Sequence, residues 1–100
     1  MDYRVDKTAE GLVITLSGRL SFQDSSRFPE VLQHVRGVGL PIDIQLGALD
    51  FIDSTGLSLL LRLYDAAFDL GGGKFIISNA KGMVKAALHN AQFENLFQFR

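Results

Sequence analysis

Apolar and polar positions alternate along this chain in two rhythms, and each rhythm predicts its own kind of element. Tyr3 and Val5 alternate with Arg4 and Asp6, the pattern of a short edge strand over residues 3–7. Thr8-Ala9-Glu10-Gly11 is long enough for a hairpin turn, and the β-branched run Leu12-Val13-Ile14-Thr15-Leu16 follows, ended by Ser17-Gly18. These two strands are expected to pair antiparallel. Phe28, Val31, Leu32, Val35 and Val38 then recur on one helical face, with Pro29 in the first turn, a cap expected near Asp24 to Ser26, and Gly37 and Gly39 as the stop. Ile42, Ile44 and Leu46 alternate with Asp43 and Gln45 as a third strand, from which residues 47–52 lead out. A second helix is predicted from Ser54 to Leu70, stopped by Gly71-Gly72-Gly73. A fourth strand follows over Lys74 to Ser78. A third helix over Lys81 to Ala91 carries Val84, Ala87, Leu88 and Ala91 on one face, and Leu96, Phe97 and Phe99 form a last short strand. The order β-β-α-β-α-β-α-β implies an α/β domain over residues 1–100. Its mixed, mostly parallel sheet of about five strands carries helices joined by right-handed crossovers.

Composition narrows the function. A chain of 100 residues with 47% hydrophobic content has room for one core and none for a large active site between lobes. Ten basic residues against eleven acidic ones leave a net charge of −1 and no basic stripe, so nucleic acid is not an expected partner. The absence of cysteine removes disulfides, thiol catalysis and thiolate zinc sites, and no metal or other cofactor is expected. No apolar run reaches the roughly 18 residues of a membrane span, and the first residues do not read as a signal peptide. A cytoplasmic domain without membrane insertion is the expectation.

The stretch Asp50-Phe51-Ile52-Asp53-Ser54-Thr55-Gly56-Leu57 carries the most chemistry. An apolar approach ends in Asp-Ser-Thr-Gly where a helix begins, and a helix start offers unpaired N–H groups and partial positive charge. A hydroxyl there sits beside an anion-binding environment formed by Asp53, Thr55, Gly56 and Leu57. The same residues equally make an ordinary N-cap. Asp53 and Gly56 are one residue too far apart for the aspartic-protease motif, and Ser54 lacks the Gly-x-Ser-x-Gly elbow of a serine hydrolase. His34 and His89 fall on the polar sides of their helices. Gly71-Gly72-Gly73-Lys74 follows a helix and precedes a strand, the reverse of a phosphate loop, and reads as a helix stop. On the second helix Leu57, Leu60, Leu61, Tyr64 and Phe68 form the expected core face, with Leu59, Leu63 and Leu70 on a neighbouring arc. That arc is either covered by the chain or an exposed docking patch.

The run Phe51-Ile52-Asp53-Ser54-Thr55-Gly56-Leu57-Ser58-Leu59-Leu60 resembles the signature of STAS domains, in particular bacterial anti-sigma factor antagonists. Leu16-Ser17-Gly18-Arg19-Leu20, Asn79 and the segment from Leu88 to Phe97 are similar to the flanking parts of that family. The resemblance implies a phosphorylation-controlled, partner-switching regulator of transcription rather than an enzyme. Ser54, with Thr55 as the lesser alternative, would be phosphorylated by a GHKL-type serine kinase that is also the anti-sigma factor, and dephosphorylated by a PP2C-like phosphatase. The unphosphorylated form would bind the kinase and the phosphorylated form release it. The implied partner surface comprises Ser21, Phe22, Asp24, Ser58, Leu59, Arg62 and Leu63. Many relatives carry an acidic residue where this chain has Ser21-Phe22. The alternative implied by the same likeness is a STAS subunit stabilising the ATPase of a lipid-transport ABC complex.

Overall fold

In the computed structural model, which describes residues 1–68 and 73–100, the five strands lie side by side in chain order. Strand β1 (Asp2–Lys7) pairs antiparallel with β2 (Leu12–Leu20), and β2 pairs parallel with β3 (Ile42–Ile52). Beyond β3 lie β4 (Phe75–Ser78) and β5 (Gln98–Phe99), both parallel to their neighbours. The connecting helices are α1 (Phe28–Val35), α2 (Ser54–Ala67) and α3 (Gly82–Asn90). All three crossovers step in the same direction across the sheet, so the right-handed rule places all three helices on one face.

The alternation of the central strands agrees. Leu12, Ile14 and Leu16 of β2 and Ile42, Ile44 and Leu46 of β3 are buried in one core with Val31, Leu60 and Leu88 of the helices. The intervening Val13, Thr15, Asp43 and Gln45 line the opposite face and are only half-buried. That face is stitched by polar side chains. Ser78 Oγ donates to Asp43 Oδ1 at 2.6 Å, Gln45 Nε2 to Asp43 Oδ2 at 3.1 Å, and Asn79 Nδ2 to Gln45 Oε1 at 2.7 Å. The Asp43 carboxylate is thereby kept satisfied although half-buried.

Several boundaries shift from the sequence reading, each for a local reason. β3 does not end at Leu46 but continues to Ile52, because β2 continues beside it to Leu20 through two irregular registers. The cap expected at Asp24 to Ser26 for α1 belongs to a separate 3-10 turn, Phe22–Asp24, and α1 starts after Arg27 without a side-chain cap. Gly37 and Gly39, both at positive φ, do end α1, leaving Val38 outside it. Their N–H groups donate to the carbonyls of Ala66 (2.7 Å) and Ala67 (3.2 Å), so the exit of α1 satisfies the last turn of α2. The expected extension of α2 to Leu70 and its stop at Gly71-Gly72 lie outside the described residues. At the far end, Ala91 and Leu96 are exposed and only Gln98–Phe99 form the strand. Phe97 is buried against the rings of Phe75, Phe93 and Tyr64.

Candidate functional site

β3 delivers its last apolar residue, Ile52, into the core, and the next residue turns the chain into α2. Asp53 is in extended conformation and its Oδ1 accepts from the Gly56 N–H at 2.8 Å, an N-cap. Its second oxygen reaches out of the element: Oδ2 accepts the Phe22 N–H of the β2–α1 loop at 3.1 Å. The Asp53 N–H in turn donates to the Leu20 carbonyl at 3.2 Å. One carboxylate therefore caps the helix and fastens the neighbouring loop to it.

Gly56 is buried for a reason that periodicity does not reveal. A Cβ at this position would lie 2.4 Å from the Leu20 carbonyl oxygen and 2.7 Å from Ile52 Cγ1. Only glycine lets the first turn of α2 press against the end of β2 this closely. The contact holds Ser54, the first residue of the helix, at the surface. Ser54 is exposed and its hydroxyl has no hydrogen-bond partner among the described residues, whereas Thr55 is half-buried. The Ser54 carbonyl accepts from Ser58 Oγ at 3.2 Å.

The outward face of α2 continues from Ser54 through Ser58, Leu61, Arg62 and Asp65, all exposed, with Leu57 half-buried at its margin. Leu61 is 37% exposed and Phe22 on the adjoining loop is 66% exposed. Phe22 lies on the loop fastened to Asp53, next to the serine, and Leu61 lies about two turns further along the same helix face.

Leu59 and Leu63, left by their spacing as either covered or an exposed patch and placed on the partner surface by the family resemblance, are core residues at 1% and 0% exposure. The buried ridge of α2 runs Gly56, Leu59, Leu60, Leu63, Ala67, one helical stripe whose first and last members have little or no side chain. A count of large apolar residues does not register Gly56 and Ala67. It therefore finds Leu60 and Phe68, which are buried, but phases the rest of the face about one residue away, onto Leu57, Leu61 and Tyr64. The helix is buried on two sides, against α1 and against the sheet, which is why the buried arc is wide.

Ser21 and Asp24 are also turned inward rather than presented to a partner. Ser21 Oγ accepts from the Gln23 N–H at 3.4 Å, and Asp24 Oδ2 accepts from the Ser21 N–H at 2.9 Å, a capping box around the 3-10 turn. Asp24 Oδ1 pairs with the α-ammonium of Met1 at 2.8 Å. Burial pushes the Asp24 carboxyl up, but the ammonium, the Ser21 N–H and nearby Arg27 outweigh it and hold the carboxyl below its ordinary value. Phe22 and Arg62 remain at the surface, as expected. Leu61 was the member of this surface that periodicity missed. A cation–π contact between Arg19 and Phe51, 4.1 Å from guanidinium carbon to ring centroid, braces the ends of β2 and β3 behind the site. His34 and His89 are both exposed, and His89 pairs with Glu94, which lowers the Glu94 pKa.

The fold, a five-stranded α/β sheet with helices on one face, is that of a STAS domain. The sequence matches that family over residues 2–100, and the chain belongs to it. Its solved neighbours include an anti-sigma factor antagonist from Mycobacterium paratuberculosis (TM-score 0.80, 21% identity, 98% of this chain and 83% of that one). RsbS from Moorella thermoacetica aligns with TM-score 0.75 and 19% identity, over 100% of this chain and 86% of its own. The Bacillus cell-fate determinant SpoIIAA in its phosphorylated form aligns with TM-score 0.65 and 19% identity, over 99% and 91%. No curated protein sequence matches the chain. Among the described residues no helix is long and apolar enough to cross a membrane.

Proposed function

We propose that this chain is an anti-sigma factor antagonist that works as a phosphorylation-controlled partner switch. Unphosphorylated, it binds a GHKL-type serine kinase that doubles as the anti-sigma factor; phosphorylated on Ser54, it lets go, and a PP2C-like phosphatase resets it. The observation that carries this reading is the presentation of Ser54: exposed, without a hydroxyl partner among the described residues, and at the head of an outward helix face. The half-burial of Thr55 favours Ser54 over it as the acceptor. Phosphorylated SpoIIAA among the structural neighbours supports a phospho-switch in this fold.

In the transfer step Ser54 Oγ forms a bond to the γ-phosphorus of ATP as the bond to ADP breaks, and the hydroxyl proton passes to a base on the kinase. The product adds about −1.5 to −2 charges next to the Asp53 carboxylate. Asp53 already occupies the Gly56 N–H, so the phosphate shares the helix start with a like charge and extends into the docking surface. Release then follows from charge and steric conflict with a partner docked over Phe22 and Leu61, without refolding.

The test is to incubate the protein with ATP and its cognate kinase and to locate phosphate by mass spectrometry. Label on Ser54 that vanishes in Ser54→Ala is the expected result, with kinase binding lost on phosphorylation. Label that persists in Ser54→Ala overturns the site. Copurification with a transporter ATPase in place of a kinase overturns the antagonist reading in favour of the transport subunit.

A further inference from the structure

The sheet has two edges and they are treated differently. β5 is only two residues long, which blunts that edge. β1 is six residues, Asp2–Lys7, and has no proline, no glycine and no break in its register with β2. Its free backbone groups can be assigned from the hairpin. Thr8 and Gly11 exchange hydrogen bonds in both directions (2.7 and 3.4 Å), closing the turn as a hydrogen-bonded pair. Antiparallel pairs alternate between bonded and non-bonded, so Asp6/Val13, Arg4/Thr15 and Asp2/Ser17 bond within the hairpin. The N–H and C=O groups of Tyr3, Val5 and Lys7 are left pointing out of the sheet.

A second β1 can use those groups only in antiparallel registers that oppose odd positions to odd ones; a one-residue slip would put opposite faces together. Charge then discriminates among the registers. A two-fold centred on Arg4 sets Arg4 against itself, and one centred on Asp6 sets Asp6 against itself. The register centred on Val5 opposes Val5 to Val5, Tyr3 to Lys7, and Arg4 to Asp6 on both sides of the axis. The Arg4/Asp6 positions are then non-hydrogen-bonded pairs, in which side chains approach most closely. Within one copy Arg4 Nε already reaches Asp6 Oδ2 at 2.8 Å in the open, so both groups stand on the face where the partner's would meet them. On the helix side the half-buried Val5 and Tyr3 would gain cover, Tyr3 from the aliphatic stem of the partner's Lys7.

We propose that this edge binds a second copy of the chain, giving a two-fold dimer with one ten-stranded sheet, through the Val5-centred register of β1. β2 lies between β1 and β3, the strand that leads into α2 and its proposed acceptor Ser54, so the joined edges do not include the strand next to that site.

Sedimentation velocity of the purified chain, from micromolar to near-millimolar concentration, tests this. The mass is expected to rise from 11.0 kDa towards twice that value. Arg4→Asp and Asp6→Arg each turn two attractive pairs into two repulsive ones and should weaken association by about tenfold or more, while the double variant should restore it. Both residues are surface groups, and circular dichroism checks that the fold is unchanged. Val5→Pro removes an N–H that β2 does not use and should give a monomer. A wild-type protein that stays monomeric throughout overturns the proposal. So do single variants that associate as well as wild type, or a double variant that does not recover.

Discussion

Asp53 joins more of the site than any other single residue, because each carboxylate oxygen does a different task. Oδ1 caps α2 through Gly56 and Oδ2 holds the Phe22 loop. Asp53→Ala should therefore cost about 1–2 kcal/mol, the upper range for a lost N-cap, since a second backbone N–H also loses its partner. Urea denaturation measures it. Ser54→Ala should change stability by less than about 0.5 kcal/mol, as expected for an exposed side chain without partners. The pair of variants separates the residue that builds the site from the proposed phosphate acceptor. Asp24 adds a pH signature. Its carboxyl pKa is lower in the folded state than its ordinary 3.8, so the stability it contributes is fully present above that value and is lost as pH falls below it. Denaturation midpoints measured between neutral pH and pH about 3 should fall in wild type and fall less steeply in Asp24→Asn.

At the scale of elements, α2 decides what a partner can touch. Its buried ridge of Gly56, Leu59, Leu60, Leu63 and Ala67 packs between α1 and the sheet, which leaves Ser54, Ser58, Leu61 and Arg62 outside. Leu59→Asp should abolish folding: truncating such a leucine alone costs about 2–5 kcal/mol, and a buried carboxylate adds more. Against a total stability of about 5–15 kcal/mol that is enough to unfold a small domain. Leu61→Asp should keep the native circular dichroism spectrum and melting behaviour yet weaken binding of the proposed kinase partner. A Leu59→Asp protein that stays folded would contradict the burial of Leu59 in the core.

Over the whole molecule, the sheet runs in chain order and all helices lie on one face, so the domain has two unlike surfaces. One end of the helix layer carries Ser54, Phe22 and Leu61; the uncovered face carries the Asp43–Ser78–Gln45–Asn79 ladder. Against a net charge of −1, the phosphorylation proposed for Ser54 would add about two negative charges, a large relative change confined to one end. The phosphomimetic Ser54→Asp should bind the proposed kinase partner more weakly than wild type while its melting temperature stays within a few degrees, a shift of about 1 kcal/mol at most.

Alternation and helical spacing by themselves determined the element order, the antiparallel start of the sheet and the helix that opens at Asp53-Ser54. These are short-range properties, written in neighbouring side chains. The capping role of Asp53 was legible too, because a cap and its N–H donor lie three residues apart. Tertiary structure alone decided which side of α2 faces inward. The phase of that helix is set by Gly56 meeting the Leu20 carbonyl, a contact between residues 36 positions apart in which one partner has no side chain to be counted. It likewise decided that Asp24 pairs with the ammonium of Met1, and that the Asp53 carboxylate reaches across to Phe22. A hydrophobic pattern records how much of a residue prefers to leave water; which neighbour receives it is decided only when the elements pack.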